Sequence, residues 1–265
     1  MRKNQLDARH KALGAALQGG PYNNMEVPWA YSTDAFDEVA ATRTRVALFD
    51  VTAILTAHLS GPDAVRVVDH LVSGDCAAMK PGSAIVTSEL NDAGHIVDDM
   101  VVQRVSETEF RLCHGSGATP DNLRESAKGL DVNIHWDDNL HLLAVQGPRT
   151  LALLQPHCSI ELAPIKWFGH AEAELFGRKV RVFRGGFTGE DGFEIACDGA
   201  DVVHLWDAIT EAGQAFGLMA GSWGALNALR IESGLLFFPL DMPESDTTPW
   251  EVGFGWSISN KAADF

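Results

Sequence analysis

Long apolar runs are missing from this 265-residue chain. No stretch approaches the roughly 18–20 uninterrupted apolar residues that span a bilayer, so a soluble protein without a membrane partner is expected. Cysteine is scarce and scattered: Cys76, Cys113, Cys158 and Cys197 form no C-x-x-C pair, which excludes a zinc knuckle or a dithiol redox motif. A chain of this length needs no disulfide staples, so reduced thiols and a cytoplasmic location are expected. The opening Met1-Arg-Lys-Asn-Gln-Leu-Asp leads into no apolar segment, so no secretory signal is expected. Basic charge is also short, with 20 Lys and Arg against 36 Asp and Glu, a formal net charge of −16. Such a surface repels phosphate backbones, and nucleic acid is not an expected partner. Neither H-E-x-x-H nor a P-loop occurs, so no local metal or phosphate site is spelled.

What is present is an interleaving of short strands and helices. Thr56-Ala-His-Leu-Ser reads as a strand, and Gly61-Pro-Asp starts a helix through Val65, Val68 and Leu71, with proline just inside the helix start. The same punctuation returns about 86 residues later, where His141 to Gln146 precedes Gly147-Pro-Arg and Leu151, Leu153 and Leu154. Residues 1–45 read as an amphipathic opening, a turn-rich stretch from Gly19 to Asn24, and a helix ending near Arg45. Val97 to Val105 and Phe110 to Cys113 flank a polar turn and read as a hairpin. In the second half, Lys179 to Arg184 and Phe193 to Cys197 are strand-like. Helices follow through Val203, Trp206, Ile209 and Phe216, and through Ala225, Leu229 and Ser233. The cadence is irregular, so the fold class is α+β with mixed and antiparallel sheets.

Three segments carry candidate chemistry. In Gly94-His-Ile-Val-Asp98-Asp99, strand alternation sends the two carboxylates to opposite faces. One is then solvent-facing or structural, and the other lies on a face that buries its neighbours; alternatively, both cap the strand or pair with basic side chains. In Gly186-Phe187-Thr188-Gly189-Glu190-Asp191-Gly192-Phe193-Glu194 the plain reading is a decorated hairpin signalled by Asp191-Gly192, with Glu190 solvated. The functional reading lets the glycine backbone approach a flat ligand, with Phe187 stacking on it. Glu194 then offers two acceptor oxygens to the paired N–H donors of a pterin or guanine. The third, Asp241-Met-Pro-Glu-Ser-Asp-Thr-Thr-Pro249-Trp250-Glu251-Val-Gly-Phe-Gly-Trp256, is a core-edge loop anchored by Trp250 or an aromatic wall to the same site. Cys113-His114-Gly115-Ser116-Gly117 lacks the G-x-S-x-G nucleophile frame and reads as a strand end feeding a tight turn.

From about Pro28 to Phe265 these segments fall in an order that resembles the aminomethyltransferase superfamily: the T-protein of the glycine cleavage system and its tetrahydrofolate-dependent demethylase relatives. The motifs that carry the resemblance are Leu48-Phe-Asp-Val, Ser60-Gly-Pro-Asp-Ala, Gly94-His-Ile-Val-Asp-Asp, Val145-Gln-Gly-Pro, Gly186-Phe-Thr-Gly-Glu-Asp-Gly-Phe-Glu, Leu229-Arg-Ile-Glu and Asp241-Met through Thr-Pro-Trp-Glu-Val-Gly. The resemblance implies a multi-subdomain α+β fold, a ring of three subdomains around a central folate pocket. In this chain, 1–50 with 140–240 make one subdomain and 51–139 another. It implies tetrahydrofolate as cofactor, Asp99 as the catalytic carboxylate, and Glu194, Phe187, Gly186 and Trp256 at the folate. The activity implied is transfer of a methyl or aminomethyl-derived carbon to N5 of tetrahydrofolate, from a small-molecule methyl donor or a lipoyl carrier protein.

The sequence departs from the family pattern in four places. Thr52-Ala53-Ile54-Leu55 stands for the usual Ser-His-Met-Gly, His114-Gly115-Ser116-Gly117 for Asn-Ala-Ala-Asn, and Ala225-Leu226-Asn227 for Ala-Arg-Asp. The C-terminal β-barrel typical of the family would begin where this sequence stops, so the sequence reads either as a shortened piece of a longer product or as a split subunit whose barrel comes from a partner chain. These departures keep two other readings open: a folate-binding scaffold without transfer activity, and a module of a larger oxidase complex.

Overall fold

The computed structural model describes residues 2–17, 20–242 and 246–261. Gly19 of the turn-rich stretch, Pro243-Glu-Ser of the third motif and residues 262–265 lie outside them. The chain opens with α1 (Asp7–Ala12), a ribbon of β1 (Pro21–Tyr22) and β2 (Met25–Glu26), then α2 (Ala35–Thr44) and β3 (Ala47–Asp50). The middle holds β4 (Leu55–Ser60), α3 (Ala64–Leu71), β5 (Ala84–Leu90), β6 (Ile96–Ser106), β7 (Glu109–His114), α4 (Thr119–Ser126) and β8 (Asn133–Trp136). Then come β9 (Leu140–Gln146), α5 (Thr150–Leu154), β10 (His170–Leu175), β11 (Arg178–Arg184) and β12 (Gly192–Asp198). The last elements are α6 (Gly199–Gly213), β13 (Met219–Gly221) and α7 (Trp223–Glu232). The α+β class holds. Among the described residues no helix is long and apolar enough to cross a membrane, and all four cysteines are free thiols.

Two compact units make up the chain: Met1–Ala53 with Asn139–Leu236, and Ile54–Asp138 with Phe237–Phe265. In the first unit six strands run in the order β10-β11-β12-β9-β3-β13, antiparallel except for the parallel pair β3–β13. Leu48, Leu143, Val145, Val182, Phe193 and Ile195 on one face of this sheet pack with α6. Val202, Leu205, Trp206 and Ile209 supply the helix side at spacings of three and four residues, which put them on one stripe. Asp198 caps α6 by accepting from the Ala200 amide at 2.8 Å, satisfying one of the orphan donors at its start. The helix stops at Gly213, short of Phe216, which ends a separate 3-10 turn.

A buried polar network ties the start of the chain to β3. Asp50 accepts from Asn4 Nδ2 at 2.6 Å and from the Thr52 amide at 3.0 Å, and pairs with His10 Nε2 at 2.8 Å. His10 Nδ1 in turn meets the Tyr31 hydroxyl at 2.9 Å. Burial alone would raise the Asp50 carboxyl, but His10, Thr52 and Asn4 outweigh it and hold it below the ordinary carboxylate range. Asp50→Ala strands a buried imidazole and amide, so a loss of about 3 kcal/mol is expected in urea denaturation at pH 7.

In the second unit five antiparallel strands run β5-β6-β7-β4-β8. Ala64, Val67, Val68 and Leu71 of α3 and Leu123 of α4 pack on Ala57, Leu59, Met100, Val102, Phe110 and Leu112. The hairpin β6–β7 falls where alternation places it. Both Gly-Pro modules adopt one geometry, though their helices begin later than the proline spacing predicts, at Ala64 and Thr150. Pro62 and Pro148 sit in the preceding turn, closed by Ala64 N–H to Gly61 O (3.1 Å) and Thr150 N–H to Gly147 O (3.0 Å).

Candidate active site

Within the second unit the paired aspartates separate as strand geometry requires. Asp98 shares a face with Ile96, Met100 and Val102 and is fully buried. Its carboxylate meets His114 Nδ1 at 2.9 Å and accepts from Thr119 Oγ1 at 2.7 Å and the Gly117 amide at 3.1 Å. That makes Asp98 the structural member. Asp99 points to the other face, half-buried, opposite Ser88 of β5. No donor from another described residue reaches its side chain. Burial first, then the charges of Asp98 and Asp241, push its carboxyl up to about 7. A carboxyl with that midpoint exchanges its proton near neutrality, the condition that suits general acid–base work.

The segment after residue 237 lies on the same unit. Ser257 Oγ meets Ser88 Oγ at 3.3 Å, and the Ile96 amide donates to Thr247 O at 2.9 Å. Trp256 of this segment stacks edge-on against Phe254 at 5.0 Å and is 69% exposed. Trp250 is exposed too, which corrects its reading as the anchor. Phe238, Met242, Pro249, Phe254 and Ser257 are buried here, while the exposed Trp250 ring lies against Gly255.

Within the first unit Glu194 stands on the sheet face opposite the α6 core. Its cross-strand row runs Phe183, Glu194, Ala144, Phe49, Gly221. This is an apolar floor holding one carboxyl. The Phe49 ring occupies the place a Cβ at Gly221 would take, so no side chain fits there. Glu194 has no hydrogen-bond or ion-pair partner among the described residues. Burial alone lifts it to about 7. An acceptor left unmatched on an apolar floor is costly to keep and fits a ligand that brings its own donors.

The glycine segment forms a seven-residue loop between β11 and β12, at the end of the sheet from which β12 sets out toward Glu194. A hairpin is therefore present, but Gly192 is already the first residue of β12, and Asp191-Gly192 is no two-residue turn. Gly186, at φ 156°, lies so close over the Gln146 amide that a side chain has no room there. Gln146 grips the loop at both ends, donating to Gly185 O at 2.9 Å and accepting from Thr188 Oγ1 at 2.8 Å. Arg43 donates to Thr188 O at 2.6 Å and pairs with Glu190 at 3.1 Å, so Glu190 is clamped and not solvated as the sequence suggests. Phe187 is half-buried at the middle of this fixed loop.

Gly186, Phe187 and Glu194 thus belong to one unit, and Asp99 and Trp256 to the other. Sequence reasoning quoted Gln146 in a motif without giving it a role and passed over Arg43 altogether. Gln146→Ala removes partners from a buried hydroxyl and a carbonyl, and a loss of about 1–3 kcal/mol is expected by thermal melting. Among the described residues no group of three His, Cys, Asp or Glu side chains is placed to hold a metal ion.

Residues 6–262 match the family model of the GCVT N-terminal domain. The chain belongs to that family. It is 37% identical to the heme-dependent oxidative N-demethylase gamma subunit of Ectopseudomonas mendocina, over 98% of this chain and 70% of that protein. It is 32% identical to the aminomethyltransferase of Streptomyces coelicolor, over 100% of this chain and 72% of that protein. The crystal structure of glycine cleavage system aminomethyltransferase T from Bartonella henselae superposes with a TM-score of 0.87 at 27% identity, covering 98% of this chain and 70% of that one. The T-protein-like fold of this GCVT-family chain follows from that agreement.

Proposed function

We propose that the chain is a cytoplasmic, tetrahydrofolate-dependent one-carbon transferase, delivering a methyl or aminomethyl-derived carbon from a donor to N5 of tetrahydrofolate. The observation that carries this reading is Glu194, a carboxyl without a partner on an apolar floor beside a rigid glycine loop. The residues present fit a reduced pterin: the two oxygens of Glu194 accept a pair of ring N–H donors, and the Gly186–Phe187 loop offers backbone and ring surface to a flat face. Tetrahydrofolate, when bound, supplies the nitrogen nucleophile that receives the carbon. Asp99, ionised above its midpoint of about 7, accepts a proton or steadies positive charge that develops on the transferred carbon.

The donor we favour is an N-methylated small molecule, because one similar protein bears the name of an oxidative N-demethylase gamma subunit. The same name supports partner chains for this one, as a module of a larger oxidase complex. A lipoyl carrier protein, which the sequence resemblance implies, is the alternative donor. A single-turnover experiment tests the proposal: protein and tetrahydrofolate are mixed with N-methylglycines, N-hydroxymethylamines (already at the oxidation level of formaldehyde) or aminomethyl-lipoyl carrier, and folate products are separated. Methyltetrahydrofolate from the N-methyl donors, or methylenetetrahydrofolate from the two donors at the formaldehyde level, is expected to accumulate faster than without protein. Folate binding with no product from any donor would instead favour the scaffold reading.

A further inference from the structure

Four polar side chains meet on the helix-backed face of the second unit: Glu89 of β5, Asp98 of β6, His114 of β7 and Thr119 at the start of α4. None is more than 1% exposed. Their hydrogens can be counted. Asp98 Oδ2 faces His114 Nδ1 (2.9 Å), Thr119 Oγ1 (2.7 Å) and the amides of Gly117 (3.1 Å) and Thr119 (3.4 Å). Its Oδ1 takes the Asp99 amide at 2.9 Å. A carboxylate, which only accepts, can take all of these contacts at once. Thr119 Oγ1 also lies 2.8 Å from Glu89 Oε2. A hydroxyl has one hydrogen, and Thr119 gives it to Asp98, so the Glu89 contact requires a hydrogen from Glu89. Glu89 is therefore the neutral acid, in keeping with the upward push that burial gives it. His114 Nε2 is buried with no hydrogen-bond partner.

We propose that Asp98 is a positioning residue for Asp99: pinned as a carboxylate by His114, Gly117 and Thr119, it fixes the Asp99 backbone and controls the pH at which Asp99 ionises. The proposal rests on Asp99 being the reacting carboxyl. The Asp98 carboxylate sits one residue from Asp99 along β6. The other titratable groups towards Asp99 are Asp241 from the segment after residue 237, which adds a second negative charge, and Cys113, which shares its sheet face on β7.

Carbon-13 NMR of the full chain labelled at aspartate and glutamate carboxyls tests this without relying on catalysis. In the unmodified protein Asp99 is expected to titrate near 7. Asp98→Asn is expected to lower the Asp99 midpoint by about one pH unit, as removal of a nearby like charge does. Glu89→Gln, which copies a neutral acid, is expected to leave the midpoint in place. An Asp99 midpoint unmoved in Asp98→Asn, or moved in Glu89→Gln, overturns the proposal. Should Asp98→Asn fail to fold, the titration of the unmodified chain and of Glu89→Gln decides alone. If the midpoints behave as expected and no carbon transfer is found, the coupling stands and the functional reading fails.

Discussion

Glu194→Gln is expected to make the protein more stable at pH 8 and, at the same time, a poorer binder of tetrahydrofolate. The stability half follows from proton linkage. Burial raises the Glu194 carboxyl from its ordinary range to about 7 in the folded chain. Between the unfolded value and 7, the folded state therefore holds more protons than the unfolded one, so stability falls as pH rises through that window. Above 7 the ionised carboxyl is a standing cost. Water still reaches part of the side chain, so we expect glutamine to recover about 1–2 kcal/mol at pH 8. At pH 3, well below the unfolded value, the acid is protonated in both states and the two proteins should melt together. The binding half has the opposite sign. Glutamine keeps one acceptor oxygen and turns an N–H towards a second N–H of the pterin, leaving a buried donor unmatched. A loss of about 2–4 kcal/mol follows, or about 30- to 1000-fold in Kd. Differential scanning calorimetry at the two pH values, with calorimetric titration of tetrahydrofolate, reads both halves. A variant less stable than its parent at pH 8 contradicts the account of an unpartnered carboxylate.

The second large effect concerns the rate. Asp99→Asn is expected to lower kcat by about 10²–10⁴-fold with KM for the folate little changed, since the side chain is assigned to proton handling and not to holding the ring. The pH profile is the sharper readout. In the unmodified protein the rate should rise as pH increases through about 7 and level off above it, because the ionised form of Asp99 does the work and its midpoint is raised. The asparagine variant has no such group, and its residual rate should be flat across the same range. A variant that loses rate but keeps the acid limb would assign the limb to another residue.

The periodic parts of the fold were legible in the sequence. The stripe on α3 and the β6–β7 hairpin fell where patterning put them, because neighbours three, four or two residues apart settle them. The split of Asp98 from Asp99 followed from alternation too. Which aspartate would be buried did not, because the deciding partners, His114 and Thr119, come from positions 16 and 21 residues further on. The clamp on the glycine loop was equally hidden: Arg43 reaches Thr188 and Glu190 across some 145 residues of chain. The Asp50 network needed His10 and Tyr31, which no local motif connects. Trp250 misled because an aromatic residue beside proline reads as an anchor, whereas Phe238 and Phe254 fill that space. The resemblance supplied what periodicity did not, naming Glu194 and Asp99. The structure adds that neither carboxyl has a donor from another described residue and that both are raised to about 7.

Calorimetric titration of tetrahydrofolate at pH 7, repeated in buffers of different ionisation enthalpy, tests the central claim most directly. If Glu194 takes the pterin as a carboxylate, the unmodified chain will bind and release a fraction of a proton, and Glu194→Gln will bind weakly with no release. Absence of binding to the unmodified chain, or equal binding and equal proton release by the two proteins, would contradict it.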